Sequence, residues 1–277
     1  MAGRISEELA RAVSHVLSEL IIQGSIRIEA LSDYDAMVQH SLHGWLQYAF
    51  IKAADQLGLI AVPETKIPYD HPLSPSALVP CAAKRCRHSK RVDIGFFRPG
   101  GRLLGIGECF TLDEFHGSLS SAELYKEVSK HIAVKRPWIT PRDTILHLVK
   151  YAKLGFRPDF VLLLITLPYD LRVKHAKWPD QRLLIEKGSD FFHRKWLELV
   201  DEIRKFGISA HLIRLSDKDI WLDGELSIVF SREGLEERVK RWLSLASSLI
   251  IKAFSGPPEK GWKWIGDKYA RKKLGLY

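Results

Sequence analysis

The stretch RVDIGFFRPGGRLLGIGECFT, residues 91–111, decides how this chain folds. Two apolar runs, 91–97 and 103–111, flank Pro99, Gly100 and Gly101, and a proline followed by two glycines is a turn signal between such segments. The pattern predicts a β-hairpin. Each run carries one acid among apolar neighbours, Asp93 in the first and Glu108 in the second. Closing the hairpin sets these carboxylates at neighbouring positions of one sheet. Burying one carboxylate is costly, and burying two side by side is costlier unless a cation or a shared proton compensates. Carboxylates are hard oxygen ligands of the kind that hold Mg²⁺ together with water and phosphate oxygens. The chemistry this points to is metal-assisted attack of water on a phosphodiester.

Upstream, residues 6–22 place Leu9, Val13, Val16, Leu17 and Leu20 at helical spacing behind a Ser6-Glu7-Glu8 start, and Gly24 ends the helix. A second helix is predicted over 34–57, carrying Leu42, Trp45, Leu46 and Phe50 before Gly58. Residues 59–67 read as a strand containing Glu64, and the Pro- and Ser-rich stretch 69–80 as a loop. Downstream, helices are predicted over 118–134 and 142–154. FVLLLITL, 160–167, lacks alternation and reads as a strand buried on both faces, as in the middle of an α/β sheet. A helix over 191–206 and a strand over 209–215 follow, an order that implies a crossover and parallel pairing. A long helix over 233–254 precedes the tail.

The element order and the acids together resemble the PD-(D/E)xK, or restriction-endonuclease-like, nuclease superfamily: an acid before a β-turn, an acid-x-basic tripeptide on the next strand, then a helix. The resemblance covers residues 34–168 and implies an α-β-β-β-α-β mixed sheet flanked by helices. An N-terminal helix (1–32) would precede the nuclease-like domain 33–255, whose core an α/β extension (169–255) completes, and a tail (256–277) would follow. In that family the two acids hold Mg²⁺ or Mn²⁺, so Asp93 and Glu108 are the implied metal ligands, with Glu64 as an auxiliary catalytic acid. One departure matters. The tripeptide here is Glu108-Cys109-Phe110, with Phe where the family has the lysine that orients the attacking water. A displaced lysine is expected instead, Lys126 or Lys130 on the helix over 118–134, or Lys66 on the strand of Glu64. Lys126 and Lys130 share a helix face that reads equally well as a solvated surface.

The whole chain of 277 residues has a net charge of +9, with 46% hydrophobic and 27% charged residues, a folded composition rather than a disordered one. The positive field favours a polyanion. Lys84, Arg85, Arg87, Lys90 and Arg91 form a basic run just before Asp93, and Lys263, Arg271, Lys272 and Lys273 interleave with tryptophans and tyrosines in the tail. DNA is the expected partner, with RNA as the alternative polyanion and a homodimer as an assembly. Asn is absent and Met scarce, a thermophile's bias. No apolar run reaches the length of a membrane helix and the N-terminus is charged, so a cytoplasmic location is expected. Cys81, Cys86 and His88 offer a competing zinc reading, but Cys-x4-Cys-x-His is short of a four-ligand set. Two functions remain: a metal-dependent DNA endonuclease, or a nuclease-fold subunit that binds nucleic acid and lost its activity with the lysine.

Overall fold

FVLLLIT, Phe160–Thr166, is the central strand of a seven-stranded sheet, and each of its residues is buried. A computed structural model describes residues 2–32, 36–69, 89–111, 141–169 and 188–230. The chain divides into two units, Met1–Val229 and Phe230–Tyr277, and the architecture given is that of the first. The expected helices over 118–134 and 233–254, most of the loop over 69–80 and the tail lie outside the described residues.

The strands are β1 (Ile60–Pro68), β2 (Ser89–Phe97), β3 (Leu103–Phe110), β4 (Phe160–Thr166), β5 (Ser209–Leu215), β6 (Asp219–Leu222) and β7 (Glu225–Val229), in that order across the sheet. β3, β4 and β5 run parallel, and every other neighbouring pair is antiparallel. The described helices are α1 (Ala2–Ile22), α2 (Ala36–Gln56), α3 (Pro141–Tyr151) and α4 (Ser189–Arg204). The chain is thus a mixed α/β protein. None of these helices is long and apolar enough to cross a membrane.

Alternation along β4 divides the core between the two faces. Val161, Leu163 and Ile165 pack in one cluster with Ile145 and Leu148 of α3 and Trp196 and Val200 of α4. On the other face, Phe50 of α2 meets Phe96 edge-on at 5.8 Å between ring centroids, and Phe96 meets Phe160 at 5.6 Å. The glycines of β3 make room for that row. A Cβ at Gly105 would fall 2.2 Å from the Phe160 ring, and one at Gly107 3.2 Å from Phe96.

The hairpin β6–β7 was not among the expected strands, although Asp223-Gly224 is a turn pair of the right kind. Asp223 adopts a left-handed φ of 52° at that turn and ties three elements together. Its Oδ1 accepts the Leu212 N–H at 2.9 Å, its Oδ2 lies 2.7 Å from His211 Nδ1, and His211 Nε2 lies 3.1 Å from Ser6 Oγ on α1. Burial pushes the Asp223 carboxyl up, but the His211 and Leu212 hydrogen bonds outweigh it and hold the group below its ordinary range. The order Ser, His, Asp imitates a nucleophile triad. Ser6 is nevertheless fully buried, and its hydroxyl donates to the Gly3 carbonyl at 2.8 Å, so the chain of bonds fastens α1 to the sheet.

Replacing Gly105 by Ala is expected to destabilise the protein by about 1–3 kcal/mol through overpacking against Phe160. Urea unfolding checks this, and an unchanged midpoint would mean that the Phe160 ring moves aside without cost.

Candidate functional site

β2 pairs with β1 from Ser89 to Phe97 except at Asp93, where the ladder skips the Glu64 position, and its pairing with β3 stops at Ile94↔Gly107. Beyond that point the Cys109 N–H is taken by a side chain: Asp93 Oδ2 accepts it at 2.7 Å. Counting on from Ile94↔Gly107 brings Asp93 level with Glu108, and counting between Pro63↔Ile94 and Thr65↔Val92 brings Glu64 level with Asp93. The three acids lie in one row across three strands.

Their surroundings differ. Glu108 is half-buried beside Asp93, and its carboxyl is pushed well above the ordinary 4.5, first by desolvation and then by the neighbouring Asp93 charge; Lys90 opposes both. A side-chain hydrogen bond with Asp93 adds to the rise, as expected of two acids held side by side. Asp93 Oδ1 also lies 3.4 Å from Nε2 of His43 on α2, with both side chains mostly buried. Glu64 sits at φ 52°, a left-handed conformation that costs a non-glycine residue roughly 1–3 kcal/mol. Its carboxylate is exposed and pairs with Arg91 at 3.7 Å.

Lys90 was read only as part of the basic run. It is half-buried on β2, and burial lowers its ammonium pKa while the Glu108 carboxylate raises it. The geometry explains why it comes close. Val92 belongs to the same cluster as Phe110 and Leu163, and Lys90, two residues from Val92 along the strand, shares that face. The signal present in the sequence was this spacing of two from Val92. What hid it was the parting of β2 from β3 at Asp93, which breaks the alternation that would otherwise relate Lys90 to Asp93.

Phe110, in the position of the expected lysine, is 9% exposed and stacks on Trp196 at 4.7 Å between centroids. Lys66 is exposed on β1 and His40 exposed on α2. Cys109 is buried. Lys126, Lys130, Lys84, Arg85, Arg87, Lys263, Arg271, Lys272 and Lys273 lie outside the described residues, as do Cys81, Cys86 and His88. Among the described residues no group of three or more His, Cys, Asp or Glu side chains is arranged to hold a metal ion. Two carboxylates with water are the protein share of many Mg²⁺ sites.

Fold and site together define a mixed α/β protein with a half-buried acid pair where an antiparallel hairpin opens. In comparisons with known proteins, the chain matches no family model, no curated protein and no solved structure.

The titration of the pair has a readable sign. Between 4.5 and the raised pKa of Glu108 the folded state holds more protons than the unfolded one, so stability falls as pH rises through that window. Lys90 acts oppositely, because between its depressed pKa and 10.5 the folded state holds fewer protons and stability rises with pH. With divalent cations chelated, Glu108→Gln is expected to abolish the decline that begins above pH 4.5. Denaturant unfolding across the pH range reads this, and parallel profiles for variant and wild type would exclude a half-buried, protonated Glu108.

Proposed function

We propose that this chain is a Mg²⁺- or Mn²⁺-dependent endonuclease that hydrolyses DNA phosphodiester bonds, built on a restriction-endonuclease-like core. The observation that carries the reading is the half-buried Asp93–Glu108 pair, level across the hairpin and coupled electrostatically to Lys90. The donor set fits the metal: both ligands are hard oxygens, and a divalent cation held by them would favour the ionised form of Glu108 that desolvation and the Asp93 charge disfavour. Asp93 and Glu108 would hold the ion, and Glu64 is the auxiliary acid on the neighbouring strand. A bound ion supplies Lewis-acid polarisation of a phosphate oxygen and acidifies its water.

The chain's own residues do the remainder. The Cys109 N–H fixes Asp93 Oδ2, leaving Oδ1 toward His43, so the carboxylate is oriented before any ligand arrives. Once Glu108 is ionised, its charge favours the protonated Lys90 Nζ. A proton held there orients the attacking water and offsets charge developing on the phosphate, the role Phe110 cannot perform. The net charge of +9 draws in the DNA backbone. A second reading rests on the Phe110–Trp196 stack, which fills the lysine position with core packing: a nuclease-fold subunit that binds nucleic acid without cutting it.

Wild type, Asp93→Asn, Lys90→Met and Lys90→Arg, each offered supercoiled, linear and branched DNA with Mn²⁺ or with chelator, separate the two. The nuclease reading expects Mn²⁺-dependent nicking by wild type that chelator abolishes and Asp93→Asn removes. Lys90→Met should lower the rate about 10²–10³-fold while calorimetric Mn²⁺ binding persists, and Lys90→Arg should restore part of it. Salt-sensitive DNA binding with neither cleavage nor Mn²⁺ binding by wild type would establish the non-catalytic subunit.

A further inference from the structure

A second group of buried polar atoms lies at the carboxyl ends of β4 and β5, three strands across the sheet from Asp93. Arg214, near the end of β5, is 1% exposed. Its Nε donates to the Leu167 carbonyl at 3.3 Å, and its Nη1 lies 3.2 Å from His193 Nδ1 and 3.3 Å from Asp190 Oδ1. Its Nη2 has no acceptor among the described residues. Because His193 Nδ1 accepts from the guanidinium, the imidazole proton sits on Nε2, which also lacks an acceptor. Burial and the Arg214 charge hold the His193 pKa down to about 4, so this ring is a neutral donor near neutrality. Trp221, the cross-strand partner of Arg214, turns its buried Nε1 toward the Tyr169 hydroxyl, a weak hydrogen bond that falls short of regular geometry.

The cluster is therefore rich in donors and short of acceptors. Asp190 is 82% exposed and shares its charge with water, a weak partner for a buried guanidinium. Asp219, which acts electrostatically on His193, is engaged by the Ser216 hydroxyl. Asp217 accepts the Tyr169 N–H at 2.6 Å. On the remaining side, the Tyr169 ring lies over the guanidinium at 4.4 Å, with Lys218 Nζ 5.3 Å from the same ring. Asp190 and His193 stand in the first turns of α4, whose N-cap, Gly188, offers no capping side chain. The positive end of that helix meets the guanidinium there.

We propose that Arg214, His193, Trp221 and the N-terminus of α4 form a pocket for a phosphate group, either a backbone diester or a terminal monoester. A tetrahedral oxyanion answers this donor set better than a carboxylate, because the Arg214 and His193 donors, the weakly engaged Trp221 N–H and a helix end outnumber the two oxygens of a carboxylate. The pocket also has a place relative to the acid pair. Arg214 is the register partner of Ile165, and Ile165 of Phe110, so Arg214 stands two strands, or about 10 Å, from Phe110. His193 and Trp196, one turn apart on α4, touch Arg214 and Phe110 respectively, which puts both ends of that row on one face of the sheet. A phosphate held there belongs to the same strand end as Glu108. The binding itself does not rest on cleavage or on any metal.

Titration of the full chain, labelled with ¹⁵N-histidine, against inorganic phosphate reads the pocket directly in chelator. Saturable binding at one site is expected, with the His193 Nε2 signal moving as it fills. Arg214→Lys should weaken it about tenfold or more through loss of charge-assisted hydrogen bonds. Trp221→Phe removes one donor on a half-exposed strand residue and should weaken it by a smaller factor even if the Arg214 variant fails to fold. Short oligonucleotides with and without a 5′-phosphate separate the sources. Loss of a 5′-phosphate preference in Trp221→Phe assigns the pocket to a terminal monoester, and equal weakening of both assigns it to the backbone. A wild-type Kd for phosphate above about 10 mM, or binding indifferent to both substitutions, overturns the proposal.

Discussion

A backbone N–H inside a sheet must find an acceptor, and at Cys109 the acceptor is the carboxylate of Asp93 rather than a strand carbonyl. That substitution lets the hairpin open without leaving a buried donor unsatisfied. It also fixes where the acids go. Asp93 is held by the backbone of the strand that carries Glu108, so the two carboxyl groups cannot drift apart while the sheet is intact. β1 stays paired with β2 on either side of the opening, and the one position the ladder skips falls at Glu64, which takes up the irregularity as a left-handed φ. Desolvation and the Asp93 charge favour the neutral form of Glu108, and the Lys90 charge opposes them. A regular hairpin with the same residues would have placed two charges in apolar surroundings with nothing to answer them.

Much of the architecture was legible because it rests on periodicities that tertiary contacts do not override. The unbroken apolar run at 160–167 marked a doubly buried strand, and the strand-helix-strand order that follows marked its parallel neighbour. Helix limits moved by a few residues. α4 begins at Ser189 rather than at Phe191, because Gly188, at φ 78°, provides the turn into the helix. The β6–β7 hairpin escaped notice since its five-residue outer strand is largely exposed and has no apolar alternation to advertise it.

At the site, the adjacency of Asp93 and Glu108 follows from hairpin register alone, which is why sequence sufficed. Lys90 did not follow, because strand parity assigns it to the face opposite Asp93 and parity fails where the ladder parts. Phe110 was visible as a departure, but its reason is tertiary: Trp196, some eighty residues later, claims that position for the core. Arg214 and His193 were likewise unreadable. Nothing in IRLS or DFFHR indicates that the arginine is buried against a helix that precedes it in the chain.

The bond between Ser6 and His211 spans 205 residues of chain. α1 precedes every other described element in the chain, and besides α2 it packs on β4 to β7, which are the last strands of the unit to be made. That part of its burial has to wait for nearly the whole unit to be synthesised, and closing so large a loop is entropically slow. This face of α1 therefore locks late in a nascent chain, and an amphipathic surface left open for that interval is where a chaperone would find this protein.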